Sequence, residues 1–268
     1  METSKKRIKK FGEAAYLLSI VLCSLGVSLS AKSGMGVSTV VSPAFVLSSY
    51  LSNIHPFFSF GNVEYIVQGA VLILLALFMK RITLSYPLSF VTAFLYGMLL
   101  NMWQSIIGAD VANEWALKIV FMVSGALITS VAIALCLRSY LPQQGYDFAV
   151  KEISVVKKFN MNKVKWIYDI SSLIVAIILM LILFGTFDFS LIGIGTLILA
   201  IVNAPLIALF GKLFDKIIDF SPLLFAFAKK VFKYEEEVKE EKTTVRETEE
   251  ESYLYILSTL APILDRTS

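Results

Sequence analysis

The residues of this chain with types suited to chemistry are amides and carboxylates set in otherwise apolar runs. Gly97, Asn101 and Gln104, at i, i+4 and i+7, form one stripe of a helix, and Thr196, Ala200 and Asn203 form a similar one. Gln68 and Asp169 stand inside two further apolar runs. Strongly polar groups within a spanning helix are costly and face the bundle interior or a water-filled path. These positions therefore mark a candidate polar cavity for a small polar solute or an ion, with Asp169, or Asp147 just ahead of that run, as a cation or proton site. The competing reading is structural. Amides and small residues also hold helices together, at about 0.6 kcal/mol on average, and Asp169 lies close enough to a helix end to cap it or to meet Lys165 one turn back.

A third candidate is the loop Gly34-Met35-Gly36-Val37-Ser38. Its backbone amides, followed by a short helix, suit an anionic group. The same glycines also permit the tight chain reversal that a re-entrant segment needs, so both readings stand. His55 is the single histidine, which leaves no metal cluster to expect, and Cys23 and Cys136 both lie in apolar runs as small core residues. There is no HExxH pair, no paired-cysteine motif and no Walker loop. The expectation is a protein without catalytic residues or cofactor, and not an enzyme.

The elements that must position these residues are membrane helices. Hydrophobic residues make up 57% of the 268 positions and charged ones 17%, which fits no water-soluble composition. Spanning the bilayer takes about 20 apolar residues, and six runs qualify: 12–31, 61–79, 85–107, 115–137, 166–184 and 189–211. The first run is longer than the apolar core of a cleaved leader, so it is expected to persist as a helix. Residues 33–52 are interrupted by Gly34, Gly36 and Pro43. They read as a broken loop and a half-helix rather than a seventh crossing.

The pattern then repeats. Val63-Glu64-Tyr65-Ile66-Val67-Gln68 lies over Val164-Lys165-Trp166-Ile167-Tyr168-Asp169 at an offset of 101, and Asn101 falls on Asn203 at an offset of 102. Each half reads as helix, amphipathic insert, helix, helix. Three crossings per half is an odd number, so the expected fold is two inverted three-helix repeats, about 12–107 and 115–211. Each carries an amphipathic or re-entrant insert after its first helix.

Basic residues orient the bundle. With a cytoplasmic N-terminus, the inside segments hold five, two, six and nine Lys or Arg, and the outside ones only Lys32 and Lys118. That asymmetry predicts a multi-pass plasma-membrane protein with both ends cytoplasmic. It leaves no single basic patch for nucleic acid. Beyond the transmembrane domain, 1–211, residues 212–268 form a cytoplasmic tail. An amphipathic stretch opens at Ser221-Pro222, an acidic run covers 234–251, and SYLYILSTLAPIL at 252–264 is apolar but too short to span. Two functions follow. One is a small-solute transporter with a cavity at the repeat interface. The other is a non-transporting scaffold that presents 212–268 to a cytoplasmic protein partner.

At GMGVS after the first helix, GYDFAVKEIS after the fourth, WIYD opening the fifth and GIGT opening the sixth, the chain resembles the YczE/YyaS/YitT-like family of bacterial integral membrane proteins over roughly 12–211. The resemblance implies a six-helix membrane fold and no defined activity. Where relatives read Gly-x-Gly-x-Ser-Pro with a nearby Asp, Thr39 and Val41 stand here, while the second insert keeps Asp147.

Overall fold

The structure, a computed structural model, describes residues 12–108, 114–139, 141–218 and 220. Among them lie eight α-helices: α1 (Gly12–Lys32), α2 (Ser42–Leu51), α3 (Phe60–Met79), α4 (Ser85–Ile107), α5 (Trp115–Arg138), α6 (Gly145–Lys157), α7 (Met161–Phe184) and α8 (Ile194–Ile217), with a 3-10 turn at Pro56–Phe58. Six are long and apolar enough to cross a membrane; α2 and α6, of 10 and 13 residues, are not. The expected basic start at 1–11 and the tail from Ser221 onward lie outside the described residues.

Two expected helix starts move, each for a local reason. α7 begins at Met161 rather than 166 because Asn160 Oδ1 accepts the N–H of Lys163, an N-terminal cap. α8 begins at Ile194 rather than 189 because the Asp188 carboxylate accepts from the N–H and hydroxyl of Ser190 and holds that segment in a turn. The helix then continues past 211 to Ile217, where Asp215 receives two hydrogen bonds from Arg138 at the end of α5, at 2.8 and 2.9 Å.

The centre of the bundle is the crossing of α1 and α5. A Cβ on Gly26 would lie 2.7 Å from the Thr129 nitrogen and 2.8 Å from the Gly125 carbonyl; one on Gly125 would lie 2.7 Å from the Gly26 carbonyl and 2.9 Å from the Ser30 nitrogen. The contact is reciprocal. Gly26-x-x-x-Ser30 meets Gly125-x-x-x-Thr129, the small-residue pattern that lets spanning helices approach backbone to backbone where lipid supplies no hydrophobic drive. α4 packs on α1, and α8 on α5.

Each short helix lies across to the other half. Val46 of α2 is buried with Ala176 and Met180 of α7, and Phe148 and Ala149 of α6 are buried with Leu72 and Leu75 of α3 and Tyr86 of α4. The loops entering these helices cross over too. The Met35 carbonyl accepts from Gly195 N at 3.0 Å at the start of α8, while the carbonyls of Pro142 and Gln143 accept from the hydroxyls of Thr92 and Ser89 on α4. The halves differ in one respect: α3 and α4 pack tightly, whereas α7 and α8 form no comparable interface.

Candidate functional site

The seam between α3 and α6 holds a buried polar cluster. Glu64 and Gln68 lie one turn apart on α3 and are both fully inaccessible to solvent. α6 starts at Gly145, after Gln144 turns the chain in an extended conformation, and the Gln144 side chain makes no capping bond. The first N–H groups of a helix have no partner within it. Here the Gly145 N–H is met from another helix, by Gln68 Oε1 at 2.8 Å. That bond fixes the orientation of the amide, because only its oxygen can accept. Gln68 Nε2 then donates to Glu64 Oε1 at 3.2 Å, and the Tyr146 hydroxyl meets Glu64 Oε2 at 3.3 Å. A Cβ at Gly145 would lie 3.1 Å from the Gln68 Cβ and carbonyl, so the close approach of α6 to α3 suits glycine.

Other groups surround this core. Tyr96 of α4 is buried beside it, and Cys23 of α1 lies next to the Gln144 side chain. The Tyr168 ring of α7 lies 6.3 Å from that of Tyr146. Burial, with Glu64 beside it, pushes the Tyr146 phenol well above its ordinary value, so Tyr146 stays neutral and able to donate. At the edge of the cluster Lys165 Nζ lies 3.6 Å from Asp147 Oδ1 and 4.0 Å from Asp169 Oδ1. Asp169 Oδ1 is buried and accepts no hydrogen bond. Two carboxyl groups, those of Asp147 and Asp169, thus share one cation.

Of the residues singled out from the sequence, Gln68, Asp147 and Asp169 come together here. The others sit elsewhere. Asn101 Oδ1 accepts the N–H of Gly61 at 2.8 Å, and its Nδ2 donates to Asn62 at 2.9 Å. It staples α4 to the first turn of α3, about 10 Å of helix away from Gln68. Asn203 Oδ1, Gln104 Nε2 and Thr196 Oγ1 are buried without a hydrogen-bond partner. Gly36, at φ +101°, lies against Thr196, and Gly34, at φ +62°, turns in open space. The Ser38 carbonyl accepts from the N–H groups of Val41 and Ser42 and closes the turn into α2.

Sequence reasoning passed over Glu64 and Tyr146, and named Lys165 only as a partner for Asp169. Glu64 carried a signal: it is the only acidic residue in the run 61–79, and a lone carboxylate in a span is expensive unless it has a use.

A bundle of six long apolar helices with a buried polar seam is a multi-pass integral membrane protein. The chain belongs to the family of unknown function DUF6198, whose model matches residues 9–212 and so takes in every helix but the last turn of α8. No curated protein and no solved structure matches it.

Proposed function

We propose that the protein is a small-solute transporter of the plasma membrane, built as two inverted repeats with both ends cytoplasmic. In this reading it is kin to the YczE/YyaS/YitT-like proteins. The observation that carries the proposal is the Glu64, Gln68, Tyr146 cluster, a polar seam where a short helix of one half docks on a long helix of the other. The packing supports two related halves: α1 on α4 corresponds to α5 on α8, and α2 on α7 corresponds to α6 on α3. Alternating access moves one repeat against the other around a fixed site, and the halves here are packed unequally. Asn101 closes α4 onto α3, while Asn203 Oδ1 has no partner and α8 stands off from α7. Pro205, inside α8, removes one rung of its hydrogen-bond ladder close to Asn203.

The test is a thermal-shift screen of the full chain in detergent against small polar solutes, followed by flux into proteoliposomes. A solute at 100 times its dissociation constant stabilises by about 2.7 kcal/mol, and Gln68→Leu should remove that shift. If no solute stabilises the protein, and deletion of 234–268 instead strips a co-purifying protein from an intact bundle, the scaffold reading replaces transport.

A further inference from the structure

We propose that Glu64 is a proton-binding site, at which the protein takes up and releases one proton and thereby changes how firmly α6 is held on α3. For its purpose the proposal rests on the transport reading, since it names the coupling ion; for the titration itself it does not.

The argument starts from charge. Glu64 is fully buried in a spanning helix, and the groups touching its two oxygens are an amide N–H and a phenol. The titratable side chains facing it from its neighbours are Cys23 of α1, Tyr96 of α4, Tyr146 of α6 and Tyr168 of α7. None of these is a cation. The only titratable residue within α2 is Tyr50, which packs on Phe184 instead, and His55 at the 3-10 turn is exposed and accepts from Phe57 N. Among the described residues, the cation at the edge of the cluster is Lys165, and it is engaged with Asp147 and Asp169. Among the described residues an ionised Glu64 would therefore have no counter-ion, a costly state for a buried charge.

The same surroundings select the proton over a metal ion. A metal cation needs several oxygen lone pairs. Glu64 instead meets the N–H of Gln68, whose own oxygen is taken by Gly145. A proton fits without rearrangement. On uptake from water it binds Glu64 Oε2, and the new O–H donates to the Tyr146 oxygen. On release the proton returns to water and the Tyr146 hydroxyl turns to donate to the carboxylate. Asp147, beside Tyr146 and 31% exposed, marks the wet end of this seam.

Protonation has a mechanical consequence. The ionised carboxylate faces the positive end of α6, whose first residue is Gly145. Neutral Glu64 loses that attraction, so loading the proton loosens α6, and shedding it draws α6 in.

Infrared difference spectroscopy of the purified full chain in detergent, acidic minus alkaline, tests this. The wild type should show a carboxylic C=O band, moved by deuteration, that is missing in Glu64→Gln and present in Asp147→Asn and Asp169→Asn. Should Glu64→Gln fail to fold, Tyr146→Phe is the second probe: the band should stay but change frequency, because one hydrogen bond is gone. A wild-type spectrum identical to that of folded Glu64→Gln, or a band that Tyr146→Phe leaves unmoved, overturns the proposal. The band together with no proton-driven flux into proteoliposomes supports the proton site and defeats transport. Proton-driven flux without the band defeats the site and leaves transport standing.

Discussion

Gln68 Oε1 accepts the backbone N–H of Gly145 at 2.8 Å, so the first turn of α6 is capped by a side chain from α3 rather than by its own sequence. Through that one bond a helix that does not span becomes part of the membrane core. The amide serves twice, because its other end holds Glu64.

Gln68→Leu should therefore destabilise the protein more than a typical intramembrane polar substitution. It leaves the Gly145 N–H buried without an acceptor, at about 1–3 kcal/mol, and also strips Glu64 of a donor. Thermal unfolding in detergent measures the loss; an unchanged midpoint would mean that α6 is not held in this way.

Asn101→Leu and Asn203→Leu should separate. The first removes two hydrogen bonds between α4 and the start of α3 and should cost on the order of 1 kcal/mol. The second replaces a buried oxygen that has no partner and should be neutral or slightly stabilising. Equal losses in the two variants would show that Asn203 has a partner after all.

At the central crossing, Gly125→Val should cost at least about 1–3 kcal/mol through overpacking, because its Cβ would press on the backbone of Gly26 and Ser30, which cannot swing away, as well as on the Ser30 hydroxyl. Gly34→Ala meets no neighbouring atom. It should lose only what its left-handed backbone demands, roughly 1–2 kcal/mol. Melting both variants side by side checks the order.

Lys158 closes α6 in the left-handed region, at φ 54°, with its N–H bonded to the carbonyls of Ser154 and Val155. Lys158→Gly keeps that cap without the steric penalty, so it should stabilise by about 1 kcal/mol. A lower melting point would indicate that the lysine side chain matters more than the turn.

Orientation is testable with single cysteines at exposed positions. Asn53 and Phe189 should react with an impermeant reagent applied to intact cells, and Phe159, in the turn between α6 and α7, only after permeabilisation. All three lie at the protein surface between helices, so burial within the bundle cannot mimic protection. Labelling of Phe159 from outside would end the inverted-repeat reading.

The sequence by itself determined the class of protein and the order of its helices. The number of apolar runs, their lengths and the glycine-broken stretch at 33–52 all follow from how much nonpolar chain a bilayer demands, and that demand acts on each segment alone. It also singled out Gln68, Asp147 and Asp169, which the fold brings to one seam. Tertiary structure decided the partners. Asn101 and Gln68 are both amides in a span, yet one staples α4 to the start of α3 and the other caps α6, because a hydrogen bond depends on which backbone group the packing brings within about 3 Å. Glu64 became the centre of the site for the same reason: its isolation from any cation among the described residues belongs to the four helices packed around it, and no spacing along the chain records that.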